Sequence, residues 1–202
     1  FRTAGIEIET ALRGRFNVVN ALGAVAAGLL LDVDEDEIAD GIASVQGVPG
    51  RFEAIDEGQP FAVVVDYAHT PDSLASVLDA ARDLARGRVL VVFGAGGDRD
   101  RGKRPLMGRV AAERADVTIV TSDNPRSENP LAIIQDVLQG TGVEVEIDPD
   151  RRSAIHRAVE LARDGDVVVI AGKGHEQGQD VGGVVSPFDD REVAREALRG
   201  RR

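Results

Sequence analysis

The feature that most constrains the fold is a regular alternation, from Arg51 onward, of short β-branched runs with stretches of helical length. The runs are FAVVVD (Phe61 to Asp66), RVLVVFG (Arg88 to Gly94), DVTIVTS (Asp116 to Ser122), VEVEI (Val143 to Ile147) and DVVVIAG (Asp166 to Gly172). Between most of them lie Asp72 to Arg86, Arg104 to Ala115, Pro130 to Leu138 and Arg151 to Arg163, each long enough for a helix. Strand, helix, strand repeated in this order predicts an α/β fold with a mainly parallel sheet and right-handed crossovers. Most of the runs are apolar at nearly every position, so both sheet faces are expected to be covered by helices. Beyond Gly172 the text reads as a polar loop, a weak hairpin around Gly182 and Gly183, and a last helix opened by Asp189 or Asp190.

The stretch before Arg51 has a different rhythm. Phe16 to Leu31 is an Ala, Leu and Val run of helical length, and Asp34 to Val45 places Ile38, Ile42 and Val45 at helical spacing. Asp34, Glu35, Asp36 and Glu37 crowd the start of the second helix, where the macrodipole favours negative charge. Gly47, Pro49 and Gly50 then punctuate QGVPGRFE, which sets a domain boundary between residues 1–48 and 49–202.

Composition narrows the function. With 24 Lys plus Arg against 35 Asp plus Glu, the formal charge is −11, which argues against a bulk binder of nucleic acid or of an anionic membrane. An aromatic fraction of 3% leaves few platforms on which single-stranded bases could stack. There is no cysteine, so disulfides are impossible and a reducing compartment is expected. FRTAGIEIET lacks the basic-then-apolar order of a signal peptide, and no apolar run approaches the roughly 20 residues of a membrane span, so a cytoplasmic location is expected. The three histidines match no zinc-ligand spacing.

In open parallel sheets, ligands collect beyond the carboxyl ends of the strands. Here those ends read Asp66-Tyr67-Ala68-His69-Thr70, Gly94 to Arg104, Ser122-Asp123-Asn124-Pro125-Arg126 and Gly172-Lys173-Gly174-His175-Glu176. Four polar loops on one rim point to a site. Within the second loop, Gly97-xxxx-Gly102-Lys103 matches most of a phosphate-cradling P-loop, but Arg104 stands where Ser or Thr would hold Mg²⁺, and two acids inside the loop would repel phosphate. Between Asp98 and Arg109, the bases Arg99, Arg101, Lys103, Arg104 and Arg109 outnumber the acids, which suggests a basic pocket for a small anion. Asp123-Asn124-Pro125-Arg126 reads equally well as a plain turn or as a loop presenting a guanidinium fork to a carboxylate.

The strings GRFNVVNALGA, GVPGRFE, VDYAHTPDSL, GAGGDRDRGKRPLMG, SDNPRSENP and AGKGHE, in this order, resemble the Mur ligases of peptidoglycan synthesis, and DNPR is similar to the signature of members that add meso-diaminopimelate rather than lysine. The resemblance implies a Rossmann-like C-terminal Mur ligase domain over residues 49–202, preceded by the helical tail of the central ATPase domain over residues 1–48. It implies ATP-dependent amide formation on UDP-MurNAc-L-Ala-D-Glu through an acyl phosphate, with ATP and Mg²⁺ as cofactors and a monomeric state. No GKT or GKS string is present, so the catalytic groups are expected outside this chain, which by itself should not turn over. By the same likeness Asn20, Arg51, Asp66 and His69 match the ATP-side residues, and Arg99, Asp123, Asn124, Pro125, Arg126, Gly172 and Glu176 match the meso-diaminopimelate site. Chemically, Arg126 would pair with the distal carboxylate and Glu176 would receive an ammonium. Where the family often has an aromatic residue after Glu176, this chain has Gly178. A folylpolyglutamate synthase-type ligase and a non-catalytic binding fragment are the alternatives.

Overall fold

A computed structural model describes residues 1–201 as two compact units that divide between Val48 and Pro49. The first opens with a small antiparallel hairpin, β1 (Arg2–Thr3) and β2 (Ile6–Glu7), turned by Ala4 and Gly5 at positive φ. Two-residue strands are too short to show alternation, which is why the sequence reads only as helices here. The helices follow as α1 (Arg15–Leu30) and α2 (Glu35–Ser44). Asp34 caps α2 by accepting the Asp36 N–H at 2.9 Å, and Glu35, Asp36 and Glu37 fill its first turn. Ile38 of α2 packs with Ile6, Ile8 and Val25 in a small core of its own.

The second unit is a six-stranded sheet in the order β3-β4-β8-β5-β6-β7. Its strands are β3 (Glu53–Ala54), β4 (Ala62–Asp66), β5 (Val89–Phe93), β6 (Val117–Val120), β7 (Glu146–Ile147) and β8 (Val167–Ala171). All pairs are parallel except β3 on β4. The run Val143–Ile147 contributes only two residues to the sheet, because Gly142 at φ 65 turns the chain and Val143 is exposed.

The crossovers are α3 (Pro71–Leu84), α4 (Lys103–Arg114), α5 (Pro130–Leu138) and α6 (Arg151–Leu161), and a hairpin, β9 (Gly178–Val181) with β10 (Val184–Pro187), precedes α7 (Asp190–Gly200). Their starts are written locally. Thr70 and Ser73 form a reciprocal capping box with Pro71 in the first turn, Asn129 precedes Pro130, and Asp150 and Asp189 each accept a backbone N–H. Val63, Val65, Leu90, Val92, Val168 and Ile170 pack against Ala154, Ile155, Val193 and Ala197 of α6 and α7. The alternate residues Val64, Val91, Phe93 and Val169, equally buried, face the opposite layer of α3, α4 and α5. No helix among the described residues is long and apolar enough to cross a membrane.

Register decides what the sheet presents. Asp66 pairs with Ala171, Ala171 with Phe93, and Phe93 with Val120, so four strands finish level and their next residues emerge on one rim. Two fully buried guanidiniums hold the loops behind that rim. Arg151 at the start of α6 donates to both oxygens of Asp190 at 2.8 and 2.7 Å, and also to the Ser122 and Ala171 carbonyls at 3.2 and 3.0 Å. Arg104 of α4 donates to both oxygens of Glu128 at 2.9 and 2.7 Å, to Asp136 at 2.8 Å and to the Gly96 carbonyl at 3.2 Å.

Breaking a buried pair from one side strands the other charge. Arg151→Met is therefore expected to lower unfolding stability by about 3–5 kcal/mol, while Arg151→Met with Asp190→Leu recovers most of that loss, as read from urea unfolding. Equal losses in both variants would contradict this assignment. Arg104, helped by the Asp98 N–H, holds the Glu128 carboxyl down from 4.5 to about 2. A depressed carboxyl contributes stability above its unfolded value, so this contribution is complete above about pH 4.5 and disappears as the pH falls toward about 2. Urea midpoints across that window are expected to fall less steeply in Glu128→Gln than in the parent; parallel curves would refute the coupling.

Candidate functional site

The level strand ends surround a cleft of about 490 Å³ whose walls come from the loops after β4, β5, β6 and β8. Seven of the residues singled out from the sequence meet there: His69, Arg99, Asp123, Asn124, Arg126, Gly172 and Glu176. The wall carries three bases (Arg99, Lys103, Arg126) and three acids (Asp100, Asp123, Glu176). Such a balance suits a ligand that itself bears both signs, and it corrects the expectation of a basic anion pocket. The physical reason is that Arg104 is spent on Glu128 and Asp136, Arg101 also pairs with Asp136 at 3.0 Å, and Arg109 is exposed away from the cleft.

The loop Asp123-Asn124-Pro125-Arg126 is a built structure rather than a free turn. Arg126 sits at φ 52, a left-handed conformation uncommon for a side chain of this size. The hairpin holds it there: the Arg126 N–H donates to the Asp180 carbonyl at 3.0 Å, and the Gly182 N–H donates to the Arg126 carbonyl at 2.7 Å. On the other side the Gly97 N–H donates to the Asn124 carbonyl at 2.8 Å, and a Cβ on Gly97 would lie 1.8 Å from the Pro125 carbonyl. The glycine of the P-loop-like string thus serves a close contact between loops. Arg126 Nη1 donates to the Gly97 carbonyl at 2.8 Å and more weakly to the Asn124 carbonyl at 3.4 Å. Its Nε and Nη2 have no hydrogen-bond partner among the described residues, which leaves two parallel donors in the geometry that grips a carboxylate. Gly178 itself pairs with Pro187 in the β9–β10 hairpin.

Behind Arg126 lies a charged cluster whose centre the sequence reading passed over. Lys173, fully buried, donates to Asn124 Oδ1 at 2.9 Å and Glu176 Oε2 at 3.3 Å, and stands 3.6 Å from Asp123 Oδ1. Asn124 Nδ2 in turn donates to Glu176 Oε2 at 2.9 Å. Burial pushes the Asp123 carboxyl up, and the Arg151 and Lys173 charges pull it back. A signal for Lys173 was available. The chain has only two lysines among its 24 bases, Lys103 and Lys173, and both belong to this rim. Lys103 Nζ donates to the His69 carbonyl at 2.8 Å, with its pKa lowered by burial.

The residues matched to the nucleotide side are arranged differently. Arg51 lies over the ring of Tyr67, the sole tyrosine, at 4.6 Å, with the rings of His69 and His175 at 4.6 and 5.6 Å from it. This aromatic ledge at the cleft's edge is a surface a flat base can lie on. Asp66 does not line the cleft. Its oxygens accept the Phe52 and Ala68 N–H groups, both at 2.7 Å, so the carboxylate shapes the loop that carries Arg51; burial still raises its pKa. Asn20 belongs to α1 of the first unit, exposed and bonded to Asn17 at 3.0 Å. Pro125 is buried and faces a separate cavity lined by Ser122 and Gln179. Among the described residues no group of three or more His, Cys, Asp or Glu is placed to hold a metal ion.

Comparison with known proteins fits this geometry. The family described as Mur ligase, glutamate ligase domain, matches residues 50–174. The UDP-N-acetylmuramoyl-L-alanyl-D-glutamate–2,6-diaminopimelate ligase of Solibacter usitatus is 54% identical over 203 residues, covering 99% of this chain and 41% of that protein. A solved structure of a ligase with that name is 43% identical with a TM-score of 0.74, covering 96% of this chain and 40% of its own. A folylpolyglutamate synthase of Mycobacterium tuberculosis, solved with ADP and AMPPCP, shares the fold at 20% identity and a TM-score of 0.64. The chain thus spans about 40% of the length of the curated relatives it matches. On the family match and these relatives together, this chain belongs to the Mur ligases.

Proposed function

We propose that this chain is the acceptor-binding part of an ATP-dependent ligase that joins meso-diaminopimelate to UDP-MurNAc-L-Ala-D-Glu in cytoplasmic peptidoglycan synthesis. In this reading Phe1–Val48 is the tail of the ATPase domain, and the second unit brings the amino acid. The observation that carries it is the unfilled Nε and Nη2 pair of Arg126 on the same charge-balanced cleft as Glu176.

The division of labour follows from those groups. The D-glutamyl carboxylate takes the γ-phosphoryl group of ATP, with release of ADP, to give an acyl phosphate; the acceptor's amine attacks that carbonyl, an amide bond forms, and inorganic phosphate and a proton leave. This chain's contribution is positioning. Arg126 grips the distal carboxylate, and Glu176 receives the ammonium beside it. The Arg51–Tyr67–His69 ledge borders the nucleotide base. Lysine, which lacks the distal carboxylate, leaves the Arg126 fork unpaired, and a site built for a polar group rejects the analogue without it by as much as roughly 10⁴–10⁵-fold. Mg²⁺ would accompany ATP in the companion domain.

Ligand-observed NMR of this chain with meso-diaminopimelate and L-lysine tests the reading. Diaminopimelate is expected to bind selectively, and Arg126→Ala to weaken it by about 10- to 100-fold, the worth of a charged hydrogen-bond pair. Equal binding of lysine, or binding untouched by Arg126→Ala, overturns it.

A further inference from the structure

Lys173 has no part in the reaction just described, yet its charged side chain, behind the cleft wall, has no exposed surface. An ammonium only donates, so the Asn124 oxygen must turn toward Lys173, and the Asn124 NH₂ is thereby aimed at Glu176. The same Asn124 oxygen also accepts the Asp180 N–H at 3.0 Å. One oxygen therefore ties together the loop after β6, the loop after β8 and the β9–β10 hairpin. That hairpin is what holds Arg126 in its left-handed conformation. The Lys173 charge also separates two carboxylates, Asp123 and Glu176, that would otherwise repel one another across the cluster.

We propose that Lys173 is a positioning residue for the acceptor. Its buried ammonium fixes Asn124 and Glu176, and through Asn124 the hairpin, so that the Arg126 fork and the Glu176 carboxylate are held on one cleft to receive a carboxylate and an ammonium of the same small molecule. For the identity of that molecule the proposal rests on the diaminopimelate reading; for the coupling between loops it rests on the hydrogen bonds alone.

The test uses Lys173→Met in this chain, with amide hydrogen exchange and meso-diaminopimelate binding measured side by side. The Arg126, Asp180 and Gly182 amides are expected to exchange at least about tenfold faster, while Val169 and Ile170 in β8 keep their rates. Diaminopimelate affinity is expected to fall at least about tenfold, within the range for losing a charged hydrogen-bond partner. Unchanged exchange at the three loop amides overturns the proposal, as does equal acceleration in β8, which would mark general loosening. If the parent binds no diaminopimelate, the functional reading fails while the exchange pattern still decides the role of Lys173. If the variant does not fold, ¹⁵N-lysine NMR of the parent decides it. With only two lysines, a resolved, slowly exchanging Lys173 ammonium signal supports the fixed hub, and a solvent-averaged one overturns it.

Discussion

Everything at the site depends on the level finish of four parallel strands. Because Asp66, Ala171, Phe93 and Val120 stand in register, loops distant in sequence start from one line and face one another across a single cleft. The insertion of β8 between β4 and β5 is the topological step that matters. It places the Gly172–Glu176 segment between loops it does not follow in the chain, at the kind of switch point where α/β sheets bind ligands.

Three buried cations then convert a rim of loops into a fixed surface. Arg104 joins α4 to the segment before α5, Arg151 joins α6 to α7 and to the ends of β6 and β8, and Lys173 joins the two loops that bear Asn124 and Glu176. Each is fully buried and each is met by carboxylates or carbonyls, which is the condition under which a buried charge is tolerated. The hairpin holds the strained backbone of Arg126, and the side chain uses only Nη1, on the Gly97 and Asn124 carbonyls, so Nε and Nη2 are left without a partner among the described residues.

Much of this was legible in the text of the chain. Near-continuous apolar runs announced covered strands, and Thr70, Asn129, Asp150 and Asp189 announced helix starts, because those signals are local. Strands β1, β2 and β3 were not legible, since two residues carry no period and their pairing is decided by a partner elsewhere in the chain. The site divided in the same way. Residue type marked Arg126 and Glu176 as carriers of opposite charge, but the burial of Arg104, which removes it from the pocket, and the inward turn of Asp66 toward Phe52 and Ala68 depend on neighbours that sequence order does not reveal. Lys173 lay in plain view within GKGHE, and its meaning came only from the 2.9 Å contact with Asn124, 49 residues away.

The sequence by itself determined the α/β class, the place where the chain divides into two units, and the loops that could bear chemistry, because hydrophobic period, capping residues and glycine or proline punctuation act over a few residues. Tertiary structure alone decided which charges face a ligand and which hold the scaffold. That choice depends on strand order and burial, and the same arginine is a binding group in water-lined space and a structural tie once carboxylates surround it in the interior.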